Sequence, residues 1–294
     1  MKPYEWMVKY TPQTEWIERR GILFWLAFFF IELGAGAFFI ASLFNVLWAM
    51  VIGWLICSVL GGGFHLLYLG RPLRFLRMFL RPQSSWISRG FIFVTLFLIL
   101  GCVYIVLSMQ TKPPFTLLVI TDIFAFLVII YGGFAMCCIN GIPLWNTALL
   151  PILYVVAGIW GGAELTMGVI LTSGGITELG HSVEEITRLL LVVFAFIVVV
   201  YFIGVRYSSI TGNVSVREIV LGRWKPLFWI GVILIGIMIP LGVVVSSYTM
   251  AIERIPIVLL WLSIFAGLLG DLILRYLILK NGFYNPLIPS SQVA

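Results

Sequence analysis

The chain has 294 residues, 62% of them hydrophobic and 15% aromatic, with only 18 Lys plus Arg and 12 Asp plus Glu. Soluble domains carry about 25% charged residues. This protein carries 10%, and its mean hydropathy of +1.12 excludes soluble, disordered, collagen-like and disulfide-framework classes and points to a bilayer.

A spanning helix needs about 20 apolar residues, and eight such runs follow one another, at about 22–44, 46–69, 89–109, 115–138, 147–171, 188–207, 225–248 and 255–280. The expected fold is all-α and integral to the membrane, a single domain over residues 1–294 whose eight transmembrane helices form two four-helix groups. The first twenty residues are polar and aromatic, and the first apolar run is too long for a signal-peptide core, so it is expected to remain as helix one. Within it, Leu33-Gly34-Ala35-Gly36-Ala37 and, in helix two, Gly61-Gly62-Gly63 suit closely packed helices. Breaks fall at Arg71-Pro72, Arg81-Pro82, Lys112-Pro113-Pro114 and Ile142-Pro143. No loop is long enough to be a domain. Cys57, Cys102, Cys137 and Cys138 lie in apolar stretches, which suits small buried hydrophobes and neither disulfides nor a metal site.

Eight spans put both termini on one face. Fourteen of the 18 cations then fall on that terminal face, against Lys112, Arg188 and Arg254 opposite and Arg275 inside helix eight. Positive charge in short loops stays cytoplasmic, so both termini are expected in the cytoplasm. The net charge of +6 is read as topology, and nucleic acid drops out. The loop from Arg71 to Arg89 concentrates Arg71, Arg74, Arg77, Arg81 and Arg89 with Trp86. Anionic lipid headgroups are one reading of it. A docking surface for another subunit is the other, since Arg and Trp are enriched at interface anchors.

Four acids lie inside the apolar runs: Glu32, Asp122, Glu164 and Asp271. Each would cost roughly 2.5–3.5 kcal/mol at a helix centre facing lipid, so each is expected to face the interior, paired or protonated. Asp271 and Arg275 stand four apart on one helix face, where an internal ion pair is the simplest reading. Counted at about 1.5 Å per residue, the acids step across the bilayer, which suggests a proton path between the acidic loop with His181 and a site near the terminal face. Structural hydrogen bonding is the competing reading. Only His65 and His181 are present, expected at opposite faces, so they cannot share a haem iron, and no four thiolates converge on an iron–sulfur cluster. Redox work would then use a diffusible quinone, for which Tyr131, His65 and the interfacial Trp16 and Tyr10 are candidates; Trp16 and Tyr10 also suit an aromatic belt.

Several of these segments together resemble the NrfD-like family, the membrane subunits of polysulfide reductase type complexes. They are the stretch from His65 through Leu69-Gly70-Arg71-Pro72 to Arg81-Pro82 and Arg89-Gly90, Tyr131-Gly132-Gly133-Phe134 with Pro143-Leu144-Trp145-Asn146-Thr147 and Leu150-Pro151, Gly270-Asp271 to Arg275-Tyr276, and the glycine-rich first helix. The resemblance implies a haem-free eight-helix subunit of a prokaryotic inner membrane. It would bind menaquinone or ubiquinone near the face where a ferredoxin-like iron–sulfur subunit docks, in turn connected to a molybdopterin or other catalytic subunit. By that analogy Tyr131 lies near the quinone and the arginine loop near the iron–sulfur partner. Where some relatives place a histidine just before helix one, this sequence offers Gln13, Glu15 and Trp16; where relatives often carry an acid before Leu69, it has Tyr68. The expected function is a quinone-binding anchor exchanging electrons between that partner and the quinone pool, not catalytic alone. A proton-coupled transporter or channel using the acids, and a purely structural anchor, are the rivals.

Overall fold

The computed structural model describes residues 5–70, 72–173, 178–249 and 254–288. Among them are eight helices long and apolar enough to cross a membrane: α1 (Gly21–Leu43), α2 (Leu47–Tyr68), α3 (Trp86–Gln110), α4 (Phe115–Cys137), α5 (Leu149–Thr172), α6 (Glu178–Ser208), α7 (Leu227–Ser247) and α8 (Ile257–Lys280). The protein is thus all-α and crosses the membrane several times. Sequence chemistry sets many of the ends. Ser85 caps α3 by accepting from Ser88 N at 3.3 Å, and prolines 114 and 256 precede α4 and α8, where a missing N–H costs nothing. Asn45, at φ 54°, makes the tight turn between α1 and α2, a conformation that asparagine tolerates.

Four features depart from the sequence expectation. α6 begins at Glu178, ten residues before its apolar run, because the polar stretch forms an amphipathic extension; His181, expected in a loop, therefore lies on a helix. The arginine loop holds a 3₁₀ helix, Pro72–Leu80, whose Phe75 and Phe79 pack edge-on against Phe91. A surface helix, Ile210–Val220, joins α6 to α7 and is capped by Ser209. The apolarity of α2 and α7 also hides π-helical segments, Ile56–Gly62 and Leu227–Met238. The second ends two residues before Pro240, which has no N–H to offer the helical ladder.

The buried residues divide into two main cores. One gathers α1 to α4 around Phe28, Phe38, Phe97 and Ile129, and the other gathers α5 to α8 around Tyr154, Trp160, Tyr201 and Leu277. The groups meet where α5 lies on α1 and α4. A Cβ on Gly36 would sit 2.0 Å from Gly158 O, and one on Gly162 would meet the Gly36 backbone at 2.2 Å. With side chains absent, the two backbones touch, which is how helices associate where lipid provides no hydrophobic drive. Gly34 and Gly61 do the same between α1 and α2, whereas Gly63 has nothing within 4 Å. The two ends of the protein are tied together on the terminal face. Thr11–Pro12 pairs antiparallel with Phe283–Tyr284, and Lys280 Nζ bonds Glu18 Oε1 at 2.5 Å.

Candidate functional site

α1 presents Phe24, Phe28 and Glu32 at four-residue spacing, so the three share one face. Against that face α2 brings His65, α4 brings Tyr131 and α8 brings Asp271 and Arg275. Tyr131 Oη lies 3.2 Å from His65 Nε2, and His65 Nδ1 lies 3.2 Å from Gly61 O. A carbonyl only accepts, so Nδ1 carries the ring proton and Tyr131 donates to Nε2. Aromatic rings wall the pair. Phe28 stands 5.8 Å from His65 and 5.6 Å from Tyr131, Phe24 stands 6.0 Å from His65, and Tyr68 closes on Phe24 at 5.0 Å. Tyr131 is buried and His65 half-buried, while the adjacent Leu66 and Leu67 are exposed to the lipid side. Gly90 of α3 backs the tyrosine so closely that a Cβ there would fall 2.1 Å from its ring.

Deeper in, Arg275 joins two helices. Its Nε donates to both carboxylate oxygens of Asp271, at 3.0 and 3.1 Å, and its Nη1 to Glu32 Oε2 at 2.5 Å. The guanidinium also stacks 4.4 Å from the centre of the Tyr154 ring. All three charged residues are buried, and charge-assisted hydrogen bonds from one guanidinium to two carboxylates offset their desolvation. The ion pair expected of Asp271 and Arg275 is present, and Glu32 completes it. Glu32 Oε1 has no hydrogen-bond partner; it faces Gly132, beside Tyr131, where a Cβ would come within 2.2 Å of it. The tyrosine–histidine pair and the ion cluster are therefore neighbours.

The other expected residues divide. Asp122 and Glu164 stand apart from this cluster. Asp122 accepts from Ser42 at 2.9 Å, ten residues along α1 from Glu32, with the fully buried apolar Ala125, Val128 and Ile129 following it on α4. Glu164 lines a separate cavity of about 50 Å³ with Glu184, Arg188 and Ser247. The buried apolar Ala125, Val128 and Ile129 separate Asp122 from the Glu32 cluster along α4. Gln13 is buried, its Nε2 donating to Leu279 O at 2.8 Å and its Oε1 accepting from Trp16 N at 3.0 Å, so its amide fastens the N-terminal segment to α8. Trp16 packs between Phe24 and Trp145, and Glu15 is exposed.

On the arginine loop, Arg89 donates to Pro82 O at 2.7 Å and Gln83 O at 2.8 Å and lies 4.7 Å over Trp86, which stacks on Phe134. Both hold the loop to the helices, while Arg77 and Arg81 are exposed. Arg71 and the side chain of Arg74 lie outside the described residues. Sequence reasoning passed over Phe24, Phe28 and Tyr154, and marked Tyr68 only as a departure from the family pattern. The four-residue ladder ending at Glu32 was the available signal for the first two; for Tyr154 there was none. Among the described residues no three His, Cys, Asp or Glu side chains gather as metal ligands.

The fold and site define a helical membrane protein with a hydrogen-bonded Tyr–His pair beside a buried ion cluster. The protein belongs to the NrfD family, whose model, described as polysulphide reductase, NrfD, matches residues 19–286. It is 28% identical over 188 residues to the protein NrfD of Escherichia coli, covering 62% of this sequence and 58% of that one. It is 29% identical over 114 residues to the NrfD homolog of Haemophilus influenzae, 38% of this sequence and 36% of that one. To the C subunit of the polysulfide reductase of Wolinella succinogenes it is 29% identical over 126 residues, 42% of this sequence and 40% of that one. The aligned segments thus span between about a third and three fifths of these relatives.

Proposed function

We propose that this protein is the quinone-reactive membrane subunit of a multisubunit oxidoreductase. It exchanges electrons between an iron–sulfur partner on the terminal face and the quinone pool of a prokaryotic inner membrane. The observation that carries this reading is the His65–Tyr131 hydrogen bond, set among aromatic rings at a helix face that continues into exposed leucines. The likeness to a polysulfide reductase subunit from Wolinella succinogenes supports a place in a redox complex. The family resemblance adds a ferredoxin-like subunit and a molybdopterin-type catalytic subunit as the partners.

The residues fit the ligand. A quinone ring oxygen needs a donor when oxidised and an acceptor when reduced, and the pair offers Tyr131 O–H and His65 Nε2. Phe24, Phe28 and Tyr68 provide flat apolar walls. A bound menaquinone or ubiquinone supplies two-electron, two-proton chemistry. With a quinone bound, Tyr131 O–H would be the donor to a ring oxygen in place of its bond to His65, and His65 Nε2 would then be free to take or return a proton. The Nδ1–H bond to Gly61 O holds the imidazole in the tautomer that leaves Nε2 basic. Glu32 Oε1, without a partner and facing Gly132, the residue after Tyr131 on α4, is the second proton-accepting position, and Arg275 anchors its carboxylate. Asp271 acts through Arg275 as a positioning residue. The fourteen terminal-face cations support a cytoplasmic position for that face, the arginine loop and both termini.

The test is quinone-linked turnover of the purified intact complex. Tyr131→Phe and His65→Ala are expected to lower it by at least tenfold, the low side of a general acid–base contribution, with subunit assembly unchanged. Wild-type turnover in both variants overturns the site. A tightly held quinone in the extracted wild-type complex, lost in His65→Ala, distinguishes this reading from a purely structural anchor.

A further inference from the structure

A second cavity lies at the opposite face from the terminal segments, between α1 and α4, with a volume of about 610 Å³. Its origin is a length mismatch. α1 ends at Leu43 and α4 begins at Phe115 on the same face, yet Ser42 bonds Asp122, seven residues into α4. At about 1.5 Å per residue the turn between α1 and α2 is sunk about 10 Å below the start of α4. The recess opens toward lipid past exposed Leu43, Phe115 and Ile123.

Its lining is ordered by depth. Ser42, Asn45 and Asp122 stand at the level of the sunken turn, and Phe126 and Leu127 lie a turn deeper along α4. Asp122 Oδ2 accepts from Ser42, and Oδ1 has no hydrogen-bond partner. Asp122 itself forms part of the cavity wall. A carboxylate in a lipid-facing groove is either protonated or paired with a cationic donor, and on this face the sequence supplies few such donors, Lys112, Arg188 and Arg254 being the only Lys or Arg of its loops and helix ends.

We infer that this recess is a binding site for a phospholipid with a primary ammonium headgroup. The ammonium bonds Asp122 at the sunken turn, and an acyl tail lies along Phe126 and Leu127. Polar groups toward the face and apolar groups below match the polarity of an inserted lipid. Charge complementarity selects the ammonium over anionic heads, and a carboxylate acceptor selects a head with N–H donors over a trimethylated one. This site is independent of the His65–Tyr131 pair, and it gives Asp122 a role outside any proton path.

The intact complex reconstituted in vesicles of phosphatidylethanolamine with phosphatidylglycerol, or of phosphatidylcholine with phosphatidylglycerol, provides the test, read by native mass spectrometry after extraction. The expectation is one phosphatidylethanolamine retained per protein subunit, at least fivefold over phosphatidylcholine. Asp122→Asn should lower that retention tenfold. Phe126→Trp, which narrows the deeper end and leaves the carboxylate in place, should lower it too, and this variant decides the matter if Asp122→Asn does not assemble. Equal retention of phosphatidylcholine overturns the inference. So does a quinone in place of the lipid, no retained lipid at all, or unchanged retention in the assembled variants.

Discussion

Arg275 on α8 donates to Glu32 on α1 at 2.5 Å across 243 positions of sequence. That contact fastens the last span to the first and closes the second helical group onto the first. It also leaves one oxygen of Glu32 facing the backbone beside Tyr131, so the same bond is structural on one side and part of the proposed site on the other.

Removing the guanidinium leaves two buried carboxylates against each other. Arg275→Met is expected to destabilise the protein by about 3–5 kcal/mol, the usual cost of breaking a buried pair, seen as a fall in the apparent melting temperature in detergent. The triple variant Glu32→Gln, Asp271→Asn, Arg275→Met should recover much of that loss. An Arg275→Met protein as stable as the wild type would show that the cluster carries no such energy.

Gly90 offers a way to disturb Tyr131 without touching it. A methyl at this position meets Cδ2 of the ring at 2.1 Å, so Gly90→Ala must push the tyrosine from His65. The expected result is a several-fold rise in the KM for quinol with the complex still assembled. An unchanged KM would mean that the position of the Tyr131 ring does not matter.

Glycines 36 and 63 make a matched pair. Gly36→Ala forces α1 from α5 and should abolish accumulation of folded protein. Gly63→Ala meets nothing within 4 Å and should be neutral or stabilising by up to about 1 kcal/mol, from helix propensity alone. Fluorescence-detected size-exclusion profiles of the two variants compare them directly, and a monodisperse Gly36→Ala peak at wild-type height contradicts the proposed contact.

The arginines of the terminal-face loop should behave differently from one another. Arg77→Glu with Arg81→Glu reverses exposed charge and is expected to reduce co-purification of soluble subunits by at least fivefold. Arg89→Ala instead loosens the bonds to Pro82 and Gln83 and should lower thermal stability first. Identical effects from both would refute that division of labour.

Orientation is open to a separate measurement. With this loop in the cytoplasm, a protease cuts between residues 71 and 89 in inverted vesicles and leaves right-side-out vesicles untouched. Cleavage in right-side-out vesicles would reverse the topology.

Apolar run length alone determined the eight spans, since backbone in a bilayer must satisfy its own hydrogen bonds and only a long helix can do so there. The four-residue spacing of Asp271 and Arg275 likewise disclosed their ion pair, because it depends on one helix. The arginine-proline loop and the tyrosine of α4 were legible as motifs. Where α6 begins was not, because its polar turns extend a helix that apolarity alone ends at residue 188.

What the sequence could not reach was every relation between spans. The π-helical segment Ile56–Gly62 turns less per residue than an α-helix, so it alters the direction in which His65 points in a way that no 3.6-residue count foresees. Which acids stand together depended on which helices touch, and glycine contacts between α1, α4 and α5 set that. Glu32 thereby joined Arg275 and Tyr131, while Asp122 was left in a recess created by unequal helix ends. Local spacing fixes what lies on one helix face. Only packing determines which faces meet, because a long-range contact is specified jointly by two distant segments and appears in neither alone.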